Sequence, residues 1–173
     1  MTELHIPVTK AMSRLEVRST RIEIGGDTAP RDREDLLELG RLLAARGADA
    51  AWAILDGADE SIASWVALTF VPLRGTTPGA LRRGARHDDP IEVEEDMRDT
   101  ALGPALRLRQ RVAVPAPSVQ DTAGTIVSES LDWSWALPAD MMLSVNANTT
   151  QLVYADWVAD QVDRVALGID LVR

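Results

Sequence analysis

The sequence predicts an α+β fold: a largely antiparallel β-sheet with two main helices, at about residues 30–46 and 150–169, and one short helix packed on it. Several segments carry apolar residues at every second position, which is typical of strands, and short turns join them. Two segments carry the apolar spacing of an amphipathic helix. Strands that are joined by short turns pair antiparallel, because a parallel crossover needs a long connection. No linker divides the chain, so residues 1–173 are predicted to form a single domain.

The N-terminal part of the chain predicts strands followed by a helix. Alternating apolar residues over 4–8 and 15–24 indicate strands. Thr28 is a suitable helix cap, and the first turn after it holds Pro30 and several acids, which suit the positive end of the helix dipole. Gly47 ends this helix, because glycine tolerates the left-handed conformation found there.

The middle of the chain predicts three strands, a short helix and one poorly patterned segment. Strands are expected at 50–55 and 61–73, and the second has apolar residues on both faces, which predicts a central strand. The short helix runs from Thr77 to about Arg86. Residues 91–102 are acidic, with at most a short strand around Ile91 and Val93, whereas 105–114 alternates cleanly.

The last third of the chain carries the clearest fold signal. Apolar residues alternate over 131–137 and again over 141–148, with a proline-containing turn between them, which predicts an antiparallel hairpin. The tryptophans of the first strand are predicted core anchors. Asn148 and Gln151 resemble a capping pair at the start of the final helix.

Composition excludes several classes of partner. The net charge of −9 argues against nucleic acid and against an anionic membrane surface, since both attract cationic proteins. Without cysteine there is no disulfide or thiolate metal site. We expect no signal peptide and no membrane span, and hence a cytoplasmic protein. The use of arginine instead of lysine, apart from Lys10, suggests a GC-rich, actinobacterial genome.

No catalytic motif stands out in the sequence. There is no nucleophile elbow and no phosphate-cradling glycine loop, so we expect a protein that is not an enzyme and holds no cofactor. His87 stands beside Asp88 and Asp89 without the further ligands that a metal site needs. The acids of 92–99 lack the spacing of a calcium loop, and we interpret them as a solvated face.

Four residues form a possible binding surface. Arg107, Arg109 and Arg111, which we call the arginine row, share one face of a predicted strand and could receive a carboxylate or phosphate. The favoured alternative is a solvated outer face paired with acids of a neighbouring strand, with the leucines between the arginines pointing inward. Trp157 lies one residue off the helix stripe; it would be a binding anchor if exposed, although a core position is favoured.

Two segments carry a family resemblance. The closing stretch SLDWSWALPADMMLSVNANTTQLVYADWVADQVDRVAL resembles the end of many small uncharacterised actinobacterial proteins, and LGPALRLRQRV is similar to their mid-chain strand. The order of elements resembles the PsbP/Mog1-like α/β/α sandwich. This resemblance implies an antiparallel sheet between helices and a binding or accessory role, often beside secretion or toxin-system components, and it brings no catalytic residues.

These observations lead to one main functional hypothesis. We expect a non-enzymatic cytoplasmic protein that binds another protein, for example an immunity or chaperone-like partner of a secreted actinobacterial protein, because an acidic surface suits a basic toxin. One alternative is a small-ligand-binding protein or enzyme whose site assembles from dispersed Arg, Asp, Glu and His. Another is a self-associating structural protein. Convergence of the arginine row and His87 in one pocket would favour the ligand site.

Overall fold

A computed structural model describes residues 3–5, 12–15, 30–55, 62–84, 90–115 and 124–172 of the chain. Its strands are β1 (Glu3–His5), β2 (Met12–Leu15), β3 (Ala50–Leu55), β4 (Ile62–Pro72), β5 (Glu92–Thr100), β6 (Gly103–Pro115), β7 (Thr125–Leu137), β8 (Met141–Thr149) and β9 (Asp170–Val172). Its α-helices are α1 (Pro30–Ala45), α2 (Pro78–Gly84) and α3 (Ala155–Gly168), and a 3₁₀ turn (Leu152–Tyr154) precedes α3.

The main sheet has seven strands in the order β2-β3-β4-β8-β7-β6-β5, and each neighbouring pair is antiparallel. Strands β1 and β9 form a separate antiparallel pair. The predicted α+β fold, with helices packed on a largely antiparallel sheet, is confirmed. The central position predicted for β4 is also confirmed, whereas β2 and β5 are the edges of the main sheet among the described residues.

Helix α3 covers one face of the sheet. Its apolar stripe, which includes Val158 and Val162, packs on the tryptophans of β7 and on the neighbouring strands. Trp133 and Trp135 are almost fully buried, and their ring centroids lie 5.8 Å apart in a stacked arrangement. The predicted role of these tryptophans as core anchors is confirmed.

Helices α1 and α2 lie on the opposite face. Leu36 and Leu43 of α1 pack on Ala51 and Ala67, which alternate along their strands with residues of the α3 face. On α2, the Arg82 side chain contacts residues of β7 and β8 that alternate with the tryptophan side of the sheet. The described part of the chain therefore has three layers, with helices on both faces of the sheet.

Two local predictions need correction. The capping pair is wrong: no side chain caps the 3₁₀ turn or α3, and the Gln151 N–H instead donates to Thr149 Oγ1 at 3.1 Å. Asn148 belongs to β8, and its side chain exchanges hydrogen bonds with Ser128 across the ladder. Strand β5 is longer than predicted, because its acidic residues pair with β6 over their whole length. Residues 16–29, with the predicted Thr28 cap, lie outside the described residues.

The turn between β7 and β8 contains two left-handed residues that are not glycine. Ala139 has φ 62° and Asp140 has φ 58°. The turn is fastened to the segment after β4, since Gly75 N–H donates to Asp140 Oδ2 at 2.9 Å and Leu73 N–H donates to its carbonyl at 2.8 Å. Alanine gains nothing from this conformation, so the contacts of Asp140 hold its neighbour in place.

Replacing Ala139 with glycine should therefore stabilise the protein by about 1 kcal/mol, because left-handed backbone costs a residue with a Cβ roughly 1–2 kcal/mol and the gain is partly offset by greater freedom of the unfolded chain. Urea unfolding measures the difference. Ala136→Gly is the matched control; it lies in β7 and should destabilise by roughly 0.5–1 kcal/mol. Equal losses in both variants would contradict the strain at Ala139.

Candidate functional site

The arginine row does not lie on a solvated outer face, and that expectation is wrong. In the β6–β7 register Arg107 stands opposite Trp133, so the row faces helix α3. Arg107 is only 9% exposed, and Leu106 and Leu108 on the other face of β6 are buried as well. Alternation misassigned the faces because this strand is covered on both sides.

Arg107 links the sheet to helix α3. Its Nε donates to Asp163 Oδ1 at 3.1 Å, and its Nη1 lies 3.6 Å from Glu94 Oε2 on β5. Asp163 Oδ1 also accepts a hydrogen bond from Trp133 Nε1 at 2.8 Å. One helix carboxylate thus holds both a charged and an aromatic side chain of the sheet.

Arg109 and Arg111 share one buried carboxylate. Glu129 of β7 is 3% exposed, and its Oε1 lies 2.7 Å from Arg109 Nη2 while its Oε2 lies 2.6 Å from Arg111 Nε. Arg109 Nη2 also reaches Asp156 Oδ1 on α3 at 2.6 Å, and Arg111 Nη1 reaches Glu92 Oε2 on β5 at 2.8 Å. The pairing with acids of a neighbouring strand was expected; the pairing with α3 was not.

The charges in this cluster reinforce each other. Burial works to lower the pKa of Arg107 and Arg109, but the neighbouring acids outweigh it and raise both pKa values. Hydrogen bonding to Glu129 raises the pKa of Arg111. In turn, Arg109 lowers the pKa of the exposed Asp156. Each arginine is engaged by carboxylates of the chain itself, so the row fastens α3, β5 and β7 to β6 instead of offering an open anion site.

Of the other two candidate residues, Trp157 and His87, only Trp157 lies in the described part of the chain. Trp157 is half-buried against the core under α3 and meets Tyr154 edge to face, with ring centroids 6.4 Å apart. This agrees with the favoured core position. His87 lies outside the described residues. Among the residues that are described, no group of three or more His, Asp or Glu side chains could hold a metal ion.

Strand β5 is an exposed edge that the sequence only partly revealed. Three apolar side chains on or next to it face solvent: Ile91 is 61% exposed, Val93 38% and Met97 63%. Odd-numbered positions share one face of the strand. The odd-numbered spacing of these three residues indicated a strand, but the many acids between them made the alternation hard to recognise.

The opposite face of the sheet holds a groove of about 610 Å³ between the end of α1 and α2, above β4 and β8. We call it the interhelix groove. Its polar lining consists of Arg46, Thr69, Thr76, Arg82, Ser144 and Asn146, and the rest of its lining is apolar. No sequence motif marked these residues, since they come from four separate elements.

Arg82 is fixed at the base of the interhelix groove. Its Nε donates to Ser134 Oγ at 2.9 Å, it also donates to Ser144 Oγ, and its Nη1 lies 3.2 Å from Asp132 Oδ1. Burial raises the pKa of Asp132, and the nearby Arg82 opposes this only in part. The one available signal was the run of polar residues that alternates with the tryptophans of β7.

The comparisons with known proteins assign no family. No protein-family model matches the chain, and no curated protein is significantly similar to it in sequence. Among the described residues, no helix has both the length and the apolar character needed to cross a membrane. Functional proposals therefore depend on the geometry described above.

Removing the Glu129 carboxylate should destabilise the protein strongly. Glu129→Ala removes the shared partner of Arg109 and Arg111, which are partly exposed and each keep a second acid, so the expected loss is about 2 kcal/mol, within the range for hydrogen bonds to charged groups. The matched control is Asp156→Ala, which removes an exposed partner of Arg109 and should cause little measurable loss. Urea unfolding compares the two. Similar losses of unfolding free energy in both variants would contradict a larger contribution from the buried Glu129 carboxylate than from the exposed Asp156.

Asp132 should make stability depend on pH in a defined direction. Its folded pKa lies above the unfolded value of about 4, so the folded state takes up the proton first on acidification. The unfolding free energy of the wild type, minus that of Asp132→Asn, should rise as the pH falls from 7 through the folded pKa and level off below the unfolded pKa. Urea unfolding across this pH range measures it. A flat or falling difference would contradict the raised pKa.

Proposed function

We propose that this is a non-enzymatic protein-binding module that receives an extended segment of another protein along strand β5. The observation that carries the proposal is the edge position of β5 together with its exposed apolar side chains, Ile91, Val93 and Met97. An edge strand turns unpaired backbone N–H and C=O groups outward at alternate residues, and an added strand can pair with them.

The two faces of β5 define the chemistry of the partner. One face presents Val93 and Met97 on either side of Glu95, and the other presents Glu94 and Asp96 beside the arginine row. A strand added at this edge would continue both faces of the sheet. Its side chains would be mainly apolar on the face of Val93 and Met97 and basic on the other, so the partner segment is an alternating apolar and basic strand.

Charge argues against a second copy of the chain as the partner. The β5 sequence EVEEDMRDT has five acids and one arginine. Pairing two such strands would bring acids opposite acids, which destabilises a sheet. A basic partner would instead be attracted by a protein of net charge −9. This favours a heterologous partner over the self-associating structural alternative.

The more specific version of the proposal is an immunity or chaperone-like protein that acts in the cytoplasm on a secreted actinobacterial protein. The acidic charge and the edge strand support it. Helices on both faces of an antiparallel sheet are also compatible with the PsbP/Mog1-like resemblance, which stays part of the proposal. By pairing with an extended basic segment of a secreted protein, such a module would keep that segment soluble and prevent it from pairing with other strands.

A synthetic nine-residue peptide of alternating lysine and valine tests the proposal. In ¹H–¹⁵N NMR titrations it should shift the amides of 91–99, and its affinity should fall as salt rises, because screening weakens the attraction between the charges. A glutamate–valine peptide should not bind. Val93→Lys combined with Met97→Lys should weaken binding at least about tenfold, because charged side chains would replace the apolar ones that face the valines of the peptide.

Leu42→Lys provides the matched control variant, since Leu42 is an exposed apolar residue on α1, which packs on β2 and β3 at the other end of the sheet from β5. It should leave peptide binding unchanged. Shifts that map to α3 or to the interhelix groove, or equal binding of the acidic peptide, would contradict docking along β5.

A further inference from the structure

We propose that the interhelix groove binds a small organic anion that also carries a hydroxyl or amine donor. The anionic group would meet Arg46 and Arg82, and the donor would meet Asn146. This site lies on the sheet face opposite α3 and does not depend on the docking of a partner along β5.

The size of the groove fits such a ligand. Its volume of about 610 Å³ lies within the range of roughly 300–1,000 Å³ that is usual for small-molecule sites. Val71, Leu81 and Met142 give it apolar walls beside the polar floor. A ligand with an apolar body and polar ends would therefore find matching walls and floor here, with one side open to solvent.

The charge of the groove is opposite to that of the protein. The chain carries a net charge of −9, yet both charged residues among the groove's described lining are arginines. Arg46 is exposed at the end of α1 and has no ion-pair partner among the described residues. The ion pair between Arg82 and Asp132 offsets part of the charge at the base, so Arg46 supplies the uncompensated cation.

Arg82 is already held in position for an anion. Its contacts with Ser134, Ser144 and Asp132 fix the guanidinium against the sheet while the residue still lines the groove. A guanidinium has five N–H donors in a planar fork, so donors remain for a ligand. Because the side chain is ordered before binding, little conformational entropy would be lost when a ligand arrives.

Asn146 in the lining of the groove carries an acceptor oxygen without a hydrogen-bond donor. Its Oδ1 is buried and has no hydrogen-bond partner. Buried polar atoms are nearly always paired, and an unpaired one calls for a specific explanation. Because that oxygen is shielded from solvent, a ligand hydroxyl or amine would supply the missing donor once the Asn146 amide turns toward the groove. The Ser144 hydroxyl accepts from Arg82, so its own proton is free to point toward the anion.

The test uses two anions and their neutral counterparts: 4-hydroxybenzoate against 4-hydroxybenzamide, and glucose 6-phosphate against glucose. In NMR titrations at least one anion should shift the amides of 69–71 and 142–146 and bind at least about tenfold more tightly than its neutral counterpart, the usual value of a charge-assisted hydrogen bond. Binding by only one of the anions would assign the ligand to the carboxylate or the phosphate class.

Three variants assign the contacts. Arg46→Gln should weaken anion binding at least about tenfold, whereas Arg41→Gln, which changes another exposed arginine of α1, should not. Asn146→Ala should weaken 4-hydroxybenzoate but leave benzoate unchanged. The proposal would be overturned if neither anion shifted these amides at millimolar concentration, if the neutral compounds bound equally well, or if Arg41→Gln had the same effect as Arg46→Gln. None of these results would bear on peptide docking at β5.

Discussion

The burial of a cationic strand beneath a helix is the constraint on which much of this structure depends. Strand β6 places its arginine row under α3, and taking a guanidinium out of water is costly unless an acid accompanies it. Each element around the row supplies an acid that pairs with it: Glu129 on β7, Asp163 on α3, and Glu94 on β5. Much of the acidic composition of this region follows from one buried and two partly buried arginines, not from solubility alone.

On both faces of the sheet an arginine–carboxylate pair links a helix to the sheet, but the helices differ in length. Helix α3 has 14 residues, and its apolar stripe and carboxylates together close the face that it covers. Helix α2 has seven residues. Helix α2 places Arg82 beside Asp132 but is too short to cover β4 and β8. A groove lined by two arginines therefore remains next to it. The closed face holds the fold together, and the open face is where a small molecule has room.

The sequence predicted the elements well and the charged contacts poorly. Alternation and helical spacing are local properties, so the β7–β8 hairpin and the main helices could be found from the residues alone. The face of the sheet on which the arginine row lies could not be predicted, because alternation separates the two faces of a strand but does not show which element covers each face. Asp156 and Asp163 stand seven residues apart on α3, two turns along one side of the helix, but this spacing gains meaning only once β6 is known to lie beneath it. Arg82 and Asn146 are brought together only by the sheet order.

Strand β5 contacts the arginine row with one face and lies at the edge of the sheet. Glu92 and Glu94 cannot be exchanged for neutral residues without removing partners of Arg111 and Arg107. The acids on this face of β5 thus pair with the arginines that lie under α3. This pairing has a consequence at the surface, since the same acids repel a second copy of this strand and attract a basic one. The basic character of the proposed partner strand is therefore a consequence of the arginine row.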